Sequence, residues 1–166
     1  MQLPAPFEQA LLDDFPYAPD VLFLDQLEEI DREASRVVCR MRTTGPMPFT
    51  DSQRPGYPKH VSGAVMVHTA AGLAFVHFYY LEGKRHLDGW IGYGTHIDRA
   101  VFRKLVPPGE PMICCCTQVR IRRGARRIFS RYKFEFRHQG DIAYESEQSA
   151  IWMLGDAPVP TPDART

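Results

Sequence analysis

The 166-residue chain has no surplus of either charge: 20 Lys and Arg stand against 20 Asp and Glu. A neutral chain is not held as a whole to nucleic acid or to an anionic membrane, so only local patches remain to be weighed. Cysteine is scarce and badly spaced for a metal. Cys39 stands alone, Cys114, Cys115 and Cys116 are consecutive, and no C-x-x-C occurs. Consecutive cysteines do not make a tetrahedral ligand set, so no metal is assigned. In a strand, Cys114 and Cys116 face one way and Cys115 the other, which suits small core fillers in a reducing, cytoplasmic compartment. The opening MQLPAPFEQALLDDFPY lacks a basic patch followed by an apolar core, so no secretory leader is expected. There is no internal repeat and no low-complexity block. Between Lys59 and Leu81 not one Asp or Glu occurs, so this stretch supplies no carboxylate for general acid–base work.

What is present is an ordinary globular composition, 44% hydrophobic and 24% charged, of a length suited to one domain. A short helix is expected over Phe7–Phe15, and strands over Val21–Ile30 and Ala34–Arg42. The segment Thr43–Ser62, with Pro46, Pro48, Pro55, Pro58, Gly45 and Gly56, shows neither helix nor strand period. It reads as a long stiff loop, and such loops are more often functional than not. Ser62 then caps a helix over Gly63–Leu81 that is apolar on all sides. A membrane span is the rival reading of that run. Ser62, His68, Thr69 and His77 within it, and strand-like segments around it, favour a helix enclosed by other structure.

Strand follows strand after that: Gly89–Asp98, Pro111–Arg122, Arg126–His138 and Ile142–Met153. In Arg131–Arg137 charged and aromatic residues alternate, giving one wet face and one packed face. The expected class is α+β. A curled antiparallel sheet wraps one long central helix in a single domain over 1–154, and residues 155–166 form a loose tail.

This order of elements resembles the hotdog-fold acyl-thioester enzymes. Ala100–Gly109 (AVFRKLVPPG) is similar to the F-R-x-x-V-x-P-G-D segment of 3-hydroxyacyl carrier-protein dehydratases. Their G-H-F-P histidine is Gln53 here, and their helical carboxylate falls nearest His68. A closer resemblance is to the thioesterase-like hotdog group that adds glycine to α,β-unsaturated acyl thioesters in macrolactam and isonitrile biosynthesis. Its Y-x5-H-x-N substrate loop is matched in length by Arg54–Ser62, with His60 at the histidine, and Gly89-Trp90-Ile91 and Tyr93 are similar to its G-W-x-I-x-x-Y region. Arg54 replaces the loop tyrosine and Ser62 the asparagine.

The resemblance implies a homodimer acting on a thioester carried by phosphopantetheine or CoA, with no other cofactor. His60 is the candidate base. Imidazole exchanges protons near neutral pH and can activate an amine or a water molecule. The N–H groups of Gly63, Ala64 and Val65 open the helix and are candidate donors to a thioester oxyanion. Arg54 can grip a carboxylate bidentately. Tyr57, Ser62 and His68 are candidate substrate contacts, and Tyr17 matches a tyrosine that borders the pocket in the family. Arg122, Arg123 and Arg126, in a run of five arginines in eight residues (120–127), are candidate contacts for an acyl carrier protein or for CoA phosphates. Three functions stay open: conjugate addition of an amino acid with or without thioester hydrolysis, a divergent dehydratase, and a non-catalytic acyl- or partner-binding protein. Neither nucleic acid nor membrane is an expected partner.

Overall fold

The computed structural model describes residues 2–155, so the expected tail from 156 onward lies outside the described residues. Seven strands form one antiparallel sheet: β1 (Ala5–Pro6), β2 (Leu24–Asp31), β3 (Arg36–Met41), β4 (Trp90–Phe102), β5 (Met112–Arg123), β6 (Arg127–His138) and β7 (Asp141–Leu154). Their order across the sheet is β1-β2-β3-β5-β6-β7-β4. A short helix α1 (Gln9–Asp14) precedes β2, and the long helix α2 (Gly63–His77) continues through a π-turn, Phe78–Glu82.

The alternation in β6 comes out as read. Ile128, Ser130, Tyr132, Phe134, Phe136 and His138 are buried while their neighbours are not. On β5, Cys114 and Cys116 are wholly buried and Cys115 is half-exposed. Burial pushes all three thiols up from their ordinary range, so they stay protonated as packing groups. The packed face of the sheet meets α2, whose Val65, Met66, Ala70, Leu73 and Val76 are almost fully buried, as is Phe78 at the start of the π-turn. By length and hydropathy Gly63–Glu82 could cross a membrane, but most of it is enclosed by the chain's own sheet. Its C-terminal part is fixed by aromatic packing: Phe78 stacks on Trp152 with ring centroids 3.8 Å apart and planes 3° from parallel.

Three expectations shift. Val21 ends a 3-10 turn, Pro19–Val21, and the strand begins only at Leu24; Pro19 presets the φ of that turn and delays extension. The fourth strand runs to Phe102, beyond Asp98, because β7 offers a partner all the way to Tyr144. β1, two residues ending in a proline, carries no period that could announce it. The four strands expected after the helix are all present.

Candidate active site at the start of the central helix

The loop before α2 is built from turns that its own residues dictate. Pro55 and Gly56 occupy the middle of a turn closed by the Tyr57 N–H on the Arg54 carbonyl at 3.1 Å. Gly56 has φ +86°, the third-position conformation that glycine takes without strain in a Pro-Gly turn. The turn lifts Tyr57 into solvent and brings the chain back at His60.

His60 is held at three points. Its backbone N–H donates to Gln53 Oε1 at 2.9 Å, and its carbonyl accepts from Gln53 Nε2 at 3.0 Å. The ring Nδ1 lies 2.8 Å from the Pro58 carbonyl. That carbonyl can only accept, so Nδ1 carries the proton and Nε2 keeps its lone pair. A half-buried imidazole with its orientation and tautomer fixed is what a general base requires. Gln53, whose amide clamps His60, is a positioning residue that the sequence did not reveal. Thr50 is another, since its Oγ1 accepts the Ser62 N–H at 3.1 Å. The Val61 N–H pins the same loop to the Val106 carbonyl at 2.8 Å.

The helix start corrects one expectation. Ser62 caps as read, but its Oγ accepts the Ala64 N–H at 3.2 Å and its carbonyl accepts the Val65 N–H at 3.0 Å. Of the three amides read as open donors, only that of Gly63 takes no acceptor among the described residues. The ring of Phe102 lies 2.9 Å from where a Cβ on Gly63 would sit, so glycine is the residue that lets β4 approach the helix start.

Beyond the cap, Tyr17, Val21, Phe23, Pro48, Phe49, Ala64, Val65 and His68 line an apolar cleft of about 300 Å³. Tyr17, Ala64 and His68 are thus brought together in one cleft. His60, Arg54, Tyr57 and Ser62 sit on the loop that leads into the helix and do not line the cleft. His68 lies between the rings of Tyr17 and Phe23, with centroids 5.4 and 5.9 Å away. Its Nε2 is 3.1 Å from the Val21 carbonyl, so Nε2 carries the proton and Nδ1 the lone pair. Tyr57 is exposed, with its ring 5.7 Å from that of His60.

The arginine hairpin sits elsewhere. Arg123 forms a bidentate ion pair with Glu82 at 2.9 Å, beyond the C-terminal end of α2, and Arg126 donates to the Leu154 carbonyl at 3.1 Å. The helical stretch Gly63–Glu82 is 20 residues long, so these arginines lie roughly 30 Å along the helix from His60 of the same chain. Arg123 is committed to closing the hairpin onto the helix end. Arg122 remains exposed on the strand. Among the described residues no cluster of His, Cys, Asp and Glu side chains is placed to hold a metal ion.

No protein-family model matches the chain. Among solved structures it is similar to a thioesterase of Haemophilus influenzae, at 12% identity and TM-score 0.61, covering 92% of this chain and 96% of that one. A mutant thioesterase of Pseudomonas aeruginosa aligns at 12% identity and TM-score 0.61, covering 95% and 97%. A chain of a dehydratase heterocomplex of Xenorhabdus doucetiae aligns at 11% identity and TM-score 0.66, covering 90% and 94%. The fold is the hotdog fold. At these identities the likeness establishes the hotdog architecture and its wrapped helix. What this hotdog domain does must be argued from its own residues.

Proposed function

We propose that this protein is a cytoplasmic hotdog enzyme acting on acyl thioesters presented on phosphopantetheine or CoA. Its reaction is conjugate addition of an amino acid to an enoyl thioester, hydrolysis of the thioester, or both in turn. The observation that carries the reading is His60, clamped by Gln53 with Nε2 as its free lone pair, at the start of a helix flanked by an apolar cleft. In hydrolysis, Nε2 takes a proton from water as the oxygen attacks the thioester carbon, and returns it to the departing thiolate as the C–S bond breaks. In addition, Nε2 takes the proton of an amine that bonds to the β-carbon, and the resulting enolate is reprotonated at the α-carbon. Both routes build negative charge on the thioester oxygen, for which the Gly63 N–H and the helix dipole are the available stabilisers. Arg54, exposed on the loop, would hold the carboxylate of the amino acid.

The protein would work as a homodimer. Among the described residues β4 is the last strand of the sheet, with no strand paired on its outer edge and Ile91, Tyr93, Ile97 and Phe102 exposed along it. A long apolar edge of this kind invites another strand. Because Phe102 lies over Gly63, a second copy paired on β4 borders the His60 loop and walls in the space between that loop and the cleft.

The test is incubation with crotonyl thioester, with and without glycine, followed by mass analysis. An N-substituted 3-amino acid or free crotonate supports the reading. 3-Hydroxybutyryl thioester would make the protein a dehydratase, and unchanged thioester with measurable binding would make it a binding protein. Light scattering at twice the chain mass supports the dimer, and a monomeric mass rejects it.

A further inference from the structure

Two spaces lie end to end along one side of α2. The cleft at the helix start touches the helix at Ala64, Val65 and His68, and a second cavity of about 250 Å³ touches it at Ala71, Gly72, Ala74 and Phe75. Ala64, His68, Gly72 and Phe75 follow one another at intervals of four, four and three residues, the spacing of a single helix face. The two spaces are therefore halves of one groove. Between Ala64 and Phe75 that face rises roughly 16 Å. The far half is walled by Trp90, Phe134 and Trp152, and neither half is lined by Asp, Glu, Lys or Arg. Such a groove suits an alkyl chain.

Among the described residues, one side chain belongs to both linings: Tyr17. Its ring centroid is 5.4 Å from that of His68, in the near half, and 6.0 Å from that of Phe15. The Phe15 ring in turn stands edge-on to Phe75 at 5.1 Å, and lies 3.3 Å from where a Cβ on Gly72 would sit, both in the far half. Tyr17 thus stands at the junction between the halves. The backbone keeps it there. Pro16 and Pro19 fix φ on either side of it. Just before them, the buried Asp14 carboxylate accepts the His86 N–H at 3.0 Å and the Leu87 N–H at 2.8 Å, which ties this strap to the loop that borders the far half. On its other flank, His68 is held against the Val21 carbonyl at 3.1 Å. Tyr17 is nevertheless half-exposed, so its ring is a partition and not a core filler.

We propose that Tyr17 sets the acyl chain length: its ring ends the near half at His68 and closes the far half to the chain. The proposal deepens the acyl-thioester reading and rests on it for placing the thioester end at the helix start. A short chain ends against the ring. The extra methylene groups of a longer one are turned out into solvent and gain nothing. Without the ring the groove runs on to Phe75, and those methylene groups are buried against aromatic walls.

The test measures hexanoate and decanoate binding by calorimetry, then turnover of the 2-hexenoyl and 2-decenoyl thioesters. Tyr17→Ala should raise the preference for decanoate over hexanoate at least about tenfold relative to the wild type, the scale of two buried methylene groups. Tyr17→Phe, which keeps the ring and removes the hydroxyl, should keep the wild-type ratio. A ratio unmoved by Tyr17→Ala would overturn the proposal, as would an equal rise in Tyr17→Phe or binding of neither acid by any of the three proteins. Should Tyr17→Ala fail to fold, Tyr17→Leu carries the same comparison. The expected shift in acid binding without turnover of either thioester would refute the enzymatic reading and leave the partition standing. Turnover of both thioesters with chain preference unmoved by Tyr17→Ala would do the reverse.

Discussion

His77 gives the most quantitative expectation. It is fully buried near the C-terminal end of α2, against the ring of Tyr132 at 5.2 Å. Its Nε2–H donates to the Ser35 carbonyl at 3.0 Å, and Nδ1 has no partner. Burial lowers its pKa to about 4, against smaller opposing effects of the Ser35 carbonyl and Glu82. An unfolded chain would protonate this imidazole near its ordinary 6.5. Between those two values the unfolded state therefore binds the extra proton, and stability falls as pH falls. The full effect is about 3 kcal/mol, of which about 2 kcal/mol is lost on going from pH 7.5 to pH 5. Below pH 4 both states are protonated and the loss levels off. Urea unfolding of the wild type and of His77→Gln at several pH values measures it, because subtracting the variant's curve removes the other titrating groups. The difference between the curves should narrow by about 2 kcal/mol at pH 5 relative to pH 7.5. Parallel curves would refute the account of His77 as a neutral buried imidazole.

Gly92→Ala should cost about 1–3 kcal/mol, because the added Cβ would lie 2.3 Å from the Trp152 ring, which the stacked Phe78 keeps from retreating. Thermal unfolding checks it, and an unchanged midpoint would mean the ring has room to move. Gln53→Ala should lower turnover by up to about a hundredfold through misplacement of His60, with about 1–2 kcal/mol lost in stability. Kinetics beside chemical denaturation separate the two effects, and full activity would show that the amide clamp is dispensable.

The parts of this molecule written in local period were legible from sequence. The alternation of β6, the Ser62 cap, the glycine-proline loop and the all-round apolarity of α2 each reflect a residue's immediate neighbours, and each appears where read. A helix with no polar side has to be wrapped, and that single inference leads to the hotdog sheet. What escaped depends on contacts made across the chain. Gln53 meets His60 through a turn whose geometry no period encodes. The Ala64 and Val65 amides looked open because helix starts have free donors, yet Ser62 consumes both, one with its hydroxyl and one with its carbonyl. The arginine hairpin looked like a docking patch because charge is visible in sequence, whereas its distance from His60 and the Arg123–Glu82 pair follow only from the way β5 and β6 run along the helix.

The central claim is that one imidazole, fixed by Gln53 and Pro58 beside the start of α2, does the proton transfer on a thioester. The direct measurement is steady-state turnover of crotonyl thioester by the wild type, His60→Ala and His68→Ala, with circular dichroism to confirm folding. His60→Ala should fall by at least about a hundredfold with an unchanged spectrum, while His68→Ala keeps its activity at saturating substrate. A fully active His60→Ala, or loss of activity confined to His68→Ala, would move the chemistry into the cleft and contradict the assignment.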